Sequence, residues 1–284
     1  MTQDGWCEKR LVIRGQVYRV VGWGNKGYPL LLLHGFMGSA LDFGTVANRF
    51  ASSRRVLAID FLGHAKSSSP HDAARYRMEQ IIQDVARLLA TFRIYRADVL
   101  GYSMGGRVAL AFATKYPRNV RALILESASP GLATESSRIT RREADEKFAQ
   151  QMRTDGLHSF VDRWEQLPLF ASQTHLSQDV LLRQRRVRLS HTITGLSGSL
   201  QGMGTGVQPS YWSVLAQLCL PVLLITGQLD TKFTEIAHEM RPFLIRGVWQ
   251  SIDDVGHNTH LENPNSFFYY VNRFLDQVAN AKHK

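Results

Sequence analysis

The chain has 284 residues, 44% of them hydrophobic and 20% charged, a balance that excludes a disordered or collagen-like chain and supports a sizeable apolar core. Thirty-four lysines and arginines against 24 aspartates and glutamates leave a net charge of +10, and no aromatic-interleaved basic motif directs that charge to nucleic acid. Apolar runs such as 30–33 and 221–225 fall far short of the roughly 20 residues that a membrane span needs, so no membrane insertion is expected.

The opening MTQDGWCEKR lacks the apolar segment of a secretory signal, which predicts a cytoplasmic protein. Cys7 and Cys219 are too few for a disulfide framework and wrongly spaced for a metal site, so both read as structural thiols.

Residues 11–13 and 17–21 flank Arg14-Gly15-Gln16, the pattern of a hairpin around a glycine turn. Residues 29–33 form an apolar strand ending in His34-Gly35-Phe36, and 55–61 repeat the design, with Asp60 near the end and a Gly63-His64 turn beyond. Met78, Ile81, Ile82, Val85, Leu88, Leu89 and Phe92 recur at helical spacing, predicting an amphipathic helix over one sheet face. A strand at 97–100 leads into Gly101-Tyr102-Ser103-Met104-Gly105-Gly106 and an alanine-rich helix that Pro117 stops; 120–125 is another buried strand. Strands alternating with helices predict a mostly parallel central sheet flanked by helices.

From about 131 to 205 the alternation fails. The sequence turns charged and helical, anchored by Phe148, Phe160, Trp164 and Phe170, and reads as a helical cap inserted into one domain spanning 1–284. Strands at 221–226 and 247–252 and a helix at 267–278 complete the pattern. Two basic clusters lie in the cap: Arg138, Arg141, Arg142, Lys147 and Arg153, then Arg183, Arg185, Arg186 and Arg188. A solvated helix face is the ordinary use of any one of them, but together they predict a small acidic ligand.

Gly101-Tyr102-Ser103-Met104-Gly105 matches G-x-S-x-G, in which a serine stands on a tight strand-to-helix turn that only small neighbours allow to close. A serine hydroxyl needs an imidazole to take its proton and a carboxylate to orient that imidazole. Asp230 follows the strand at 221–226 and His257 follows the last strand, which gives the order serine, acid, histidine of the α/β-hydrolase fold. Asp253 and Asp254 adjoin His257 in sequence, but that adjacency gives no reason to prefer them as its orienting acid. The same fold draws oxyanion-holding N–H groups from Phe36 and Met104, the Phe36 ring lining the pocket; His34 and His64 read as structural turn residues.

Beyond the triad the sequence resembles the 2-succinyl-6-hydroxy-2,4-cyclohexadiene-1-carboxylate synthases, lyases of menaquinone and phylloquinone biosynthesis. The resemblance runs through His34-Gly35-Phe36-Met37-Gly38, Ser103 with Arg107, Ser129-Pro130-Gly131-Leu132, Arg141 with Asp145, Trp164 with Pro168-Leu169-Phe170, Gly204-Thr205-Gly206-Val207-Gln208, Asp230-Thr231-Lys232-Phe233 and Gly256-His257-Asn258-Thr259-His260. It implies elimination of pyruvate from a tricarboxylate, without hydrolysis and without metal or other cofactor. It also implies that Tyr102, Arg107, Arg141, Trp164 and Arg188 bind that small anionic polycarboxylate. Arg183, Arg185 and Arg186 leave the local alignment at Arg188 open to a slip. The oligomeric state is not legible in the sequence. Ala65 stands where many relatives have glycine, which marks the turn at 60–65 as locally unusual. Two other readings compete: a hydrolase of esters or carbon–carbon bonds using the same triad, which leaves the cap arginines unused, and a non-catalytic binding protein, which leaves the triad unused.

Overall fold

The computed structural model describes residues 6–281. The hairpin forms as β1 (Trp6–Ile13) and β2 (Gln16–Trp23), with Ile13 opposite Gln16. Arg14 and Gly15 both take positive φ, 50° and 77°, so the two-residue turn matches the twist of its strands. Then come β3 (Pro29–Leu33), α1 (Gly44–Phe50), β4 (Arg55–Ile59), α2 (Met78–Thr91), β5 (Ala97–Tyr102), α3 (Met104–Lys115) and β6 (Val120–Glu126). Three helices follow, α4 (Glu135–Glu165), α5 (Gln178–Leu189) and α6 (Ile193–Met203). The chain continues with β7 (Val222–Gly227), α7 (Thr231–Met240), β8 (Gly247–Ile252), α8 (Thr259–Glu262) and α9 (Pro264–Asn280).

These strands make one sheet in the order β1-β2-β4-β3-β5-β6-β7-β8. It is parallel from β4 to β8, and β2 joins β4 antiparallel. The mostly parallel sheet flanked by helices is the architecture that the alternation predicts. Leu30 to Leu33 are at most 1% exposed because both sheet faces are covered, which is why β3 reads as an unbroken apolar run. On one face Met78, Ile81, Ile82, Val85, Leu88 and Leu89 of α2 join the core; on the other, Phe267, Val271, Phe274 and Leu275 of α9 do. Each such side chain contributes about 1.5–3 kcal/mol by leaving water.

β4 stops at Ile59, two residues earlier than its apolar pattern runs. Asp60 is the cause. Its buried carboxylate accepts from Ala40 N at 2.7 Å and Lys66 N at 3.1 Å and meets Arg19 Nη1 at 3.3 Å, which turns the chain out of the sheet. Between β6 and β7, Gly156 breaks α4 with φ 81° and ψ 165°. The aromatic anchors Phe148, Phe160, Trp164 and Phe170 then pack against one another at ring separations of 5.8–5.9 Å.

Cys7 and Cys219, expected as structural thiols, are both free and exposed. Among the described residues no helix is long and apolar enough to cross a membrane.

Candidate active site

Strand β5 delivers Ser103 onto a turn that most sequences cannot make. Ser103 takes φ 52° and ψ −110°, a region that costs roughly 1–3 kcal/mol and persists only where the surroundings enforce it. Ser103 N donates to Glu126 O at 2.8 Å, pinning the turn to β6. A Cβ on Gly101 would strike the Gly105 carbonyl, and one on Gly105 the Leu33 carbonyl, so both must be glycine for α3 to start this close to the sheet. Met104 opens α3, and its N–H, like every first-turn N–H, has no acceptor within the helix. Phe36 N–H donates to no acceptor among the described residues. Phe36 and Met104 line the same cavity as Ser103.

His257 Nε2 lies 3.0 Å from Ser103 Oγ, and its Nδ1 lies 2.7 Å from Asp230 Oδ2. With Asp230 ionised, Nδ1–H donates to the carboxylate and Nε2 accepts from the serine hydroxyl. Asp230 also caps α7, its Oδ1 accepting from Phe233 N at 3.4 Å, while the Phe233 ring lies 4.6 Å from the imidazole. Asp253 and Asp254 are exposed and make no contact with the imidazole.

Two buried carboxylates that sequence reasoning missed hold the loop bearing His257. Glu262 accepts from Gly256 N at 2.8 Å and Asn258 N at 3.2 Å, on either side of the histidine. Glu126 accepts from Thr259 Oγ1 at 2.7 Å, from His260 N at 3.0 Å and from His260 Nδ1 at 2.8 Å. The order of motifs along the chain carries no sign of either bond.

Ser103, His257, Phe36, Met104, Tyr102, Arg107, Arg141 and Trp164 line one cavity of about 1070 Å³. Arg107, Arg141 and Lys232 bring positive charge to it, and Glu239 is the only carboxylate residue lining it among the described residues. Arg107 donates from Nη1 to Met203 O at 2.7 Å and to Gln208 Oε1. Burial and the neighbouring Arg141 pull its pKa down to about 10, Asp145 opposing them, so it stays charged at neutral pH. Arg141 Nε donates to Asp145 Oδ1 at 2.8 Å; burial pushes the Asp145 carboxyl up, against the pull of Arg141. Tyr102 has its phenol pKa raised by burial and by Glu126 and stays neutral, with its ring 5.3 Å from His257.

Arg188 does not line this cavity. Its Nη1 bonds Glu165 Oε1 at 2.9 Å, its guanidinium lies 5.3 Å from the Phe170 ring, and it borders a small adjoining pocket of about 30 Å³ with Tyr102 and Trp164. Arg185 pairs with Asp162 and Glu165, and Arg183 and Arg186 are exposed. Arg138 and Arg142 hold backbone carbonyls of Gly206 and Val207, and Arg153 pairs with Glu146. Much of the cap's arginine excess therefore holds the cap together, and only Arg141 of it lines the cavity.

His34, His64 and His191 form a buried wall behind Phe36, with the His64 ring 5.6 Å from Phe36 and 5.3 Å from His191. His34 Nε2 accepts from Phe61 N at 3.0 Å and its Nδ1 donates to Gly35 O at 2.7 Å, a turn-bracing role. Burial lowers the pKa of all three, that of His191 to about 4, so this wall is uncharged at neutral pH. Ala65 takes φ 46°, and its N–H donates to His191 Nδ1 at 2.8 Å, which ties the unusual turn to the cap.

A family model described as alpha/beta hydrolase fold matches residues 28–264. A protein of Bacillus subtilis (strain 168), provisionally named 2-succinyl-6-hydroxy-2,4-cyclohexadiene-1-carboxylate synthase, is 39% identical over 254 residues, 89% of this chain and 92% of its own. The synthase of that name from Salmonella paratyphi B is 31% identical over 242 residues, 85% of this chain and 91% of its own. Among solved structures, that of MenH from S. aureus superposes with a TM-score of 0.88 at 30% identity, covering 92% of this chain and 98% of that one.

Proposed function

The chain belongs to the α/β-hydrolase fold family and, within it, to the 2-succinyl-6-hydroxy-2,4-cyclohexadiene-1-carboxylate synthases, which are lyases, and from that membership we propose its reaction and the part each residue plays. The substrate is 2-succinyl-5-enolpyruvyl-6-hydroxy-3-cyclohexene-1-carboxylate, and the products are the synthase's cyclohexadiene and pyruvate. The observation that carries this reading is the shared cavity: one space joins the Ser103–His257 pair to Arg107 and Arg141. Guanidinium forks stay charged and bind carboxylates in a fixed plane, so they select a polycarboxylate and set its ring against the serine.

In the reaction His257, oriented by Asp230, draws the proton from Ser103 Oγ, and the oxygen removes the proton from ring carbon 2, beside the succinyl ketone. The electron pair passes into that ketone as an enolate, held by the N–H groups of Phe36 and Met104. Its return forms the 2,3 double bond, the old 3,4 pair moves to carbons 4 and 5, and the carbon 5–oxygen bond breaks. The enolate of pyruvate leaves and takes the proton held on His257, restoring the proton count. No acyl-enzyme forms. Hydrolysis of a neutral ester by the same three residues would leave Arg107 and Arg141 without a task.

The test is to supply the enolpyruvyl compound and follow pyruvate release together with the absorbance of the conjugated diene. Both are expected to rise in equal amounts. Turnover of simple aryl esters without either product would overturn the reading.

A further inference from the structure

Arg107 is held by two oxygens from a single turn. Its Nη1 donates to Met203 O at the end of α6 and to Gln208 Oε1, whereas Nε and Nη2 meet no acceptor among the described residues. Gln208 is 1% exposed, and its Nε2 is buried without a partner beside Gly131. The turn that carries both oxygens is itself clasped from α4: Arg142 Nη1 donates to Gly206 O at 3.0 Å, and Arg138 Nη2 to Val207 O at 3.2 Å. Gln208 is thus fixed by the cap while it touches α3, the helix that starts just after Ser103. An amide oxygen takes up one of the five guanidinium N–H groups and sets the plane without cancelling the charge; a carboxylate in its place would cancel it.

We propose that Gln208 is a positioning residue that turns Arg107, through Oε1, so that the uncommitted Nε and Nη2 edge receives a carboxylate of the substrate. This role rests on the elimination reading above for its ligand, and on the hydrogen bonds alone for its geometry. It also links the cap to the elbow, because the 203–208 turn that holds Arg107 is bonded to Arg138 and Arg142 of α4.

The experiment is a double-mutant comparison. In the otherwise unaltered chain, Gln208→Met is expected to raise KM for the enolpyruvyl substrate about tenfold, equivalent to about 1.4 kcal/mol. Its kcat stays within about threefold, as loss of binding alone requires. In an Arg107→Met background the same substitution should change KM less than about twofold, since its route to the substrate is gone. Equal fold-changes in both backgrounds, which a general loosening of the turn would give, overturn the proposal, as does an unchanged KM in the single variant. A second readout needs no activity: the 15N-labelled Arg107 Nη1–H resonance, the group that donates to Gln208 Oε1, identified by its loss in Arg107→Lys. It should shift or exchange away in Gln208→Met and persist in Gln208→Glu, which keeps an acceptor. An unmoved resonance in Gln208→Met contradicts the positioning role even if the chain releases no pyruvate, and absent pyruvate release with a moved resonance contradicts the elimination alone.

Discussion

The elbow that carries Ser103 and the cap that covers it hold their polar side chains by opposite means. At the elbow the backbone does the placing: a strained serine, two obligatory glycines and the ends of β5, β7 and β8 bring Ser103, Asp230 and His257 within 3.0 Å of their neighbours. In the cap side chains place one another: Arg185 is set by Asp162 and Glu165, Arg188 by Glu165, and the turn bearing Gln208 by Arg138 and Arg142. The lesson is that a charge faces a ligand only where its internal partners leave part of it free. Arg107 is such a case, with one of its nitrogens committed and the rest available.

The largest expected effect falls on the elbow. Ser103→Ala should lower kcat for pyruvate release by about 10²- to 10⁴-fold, the usual worth of a positioned base, with substrate binding by calorimetry nearly unchanged; full turnover would remove Ser103 as the base. The comparison between regions is sharpened next by two arginines. Arg107→Met should raise KM by roughly one to two orders of magnitude, because a charge-assisted bond is worth about 1.5–3 kcal/mol. Arg185→Met removes only two surface pairs, with Asp162 and Glu165, each worth about 0–1 kcal/mol, and should leave KM alone. Equal effects from the two would break the distinction drawn here.

The seam between the regions gives a smaller, pH-dependent effect. Burial, reinforced by His34, pushes the pKa of His191 from 6.5 down to about 4. Between those values the unfolded chain takes up a proton that the folded chain refuses. Stability is therefore whole above pH 6.5 and is lost as pH falls toward 4, by about 1.4 kcal/mol per pH unit. Thermal melting across that range should show the slope, and His191→Asn should reduce it; an identical slope in the variant would clear His191 of the effect. The smallest change is at Ala65, where φ 46° costs a non-glycine residue about 1 kcal/mol. Ala65→Gly should raise the denaturant midpoint accordingly, and a lower midpoint would mean that the turn is not strained.

Which features were legible in the sequence follows from the same contrast. The buried strands read as apolar runs because both faces are covered, and the positions of Ser103, Asp230 and His257 follow from local turns whose residues are adjacent in the chain. Glu262 and Glu126 were not legible as braces, since Glu126 reaches His260 across 134 residues and nothing near it announces the partner. Arg185 and Arg188 read as available charges only because Glu165, 20 and 23 residues away, cannot be paired with them by spacing. Gln208 sits in a motif that is visible as a string, yet its use depends on a contact with Arg107 across 101 residues.

The central claim is that Ser103 removes a ring proton instead of attacking a carbonyl. The most direct measurement is single-turnover pyruvate release from the enolpyruvyl substrate carrying deuterium at ring carbon 2, set beside the protium form. A clear slowing by deuterium, lost with the activity in Ser103→Ala, is the expected result. Equal rates for the two substrates, with a transient mass adduct on Ser103, would contradict it.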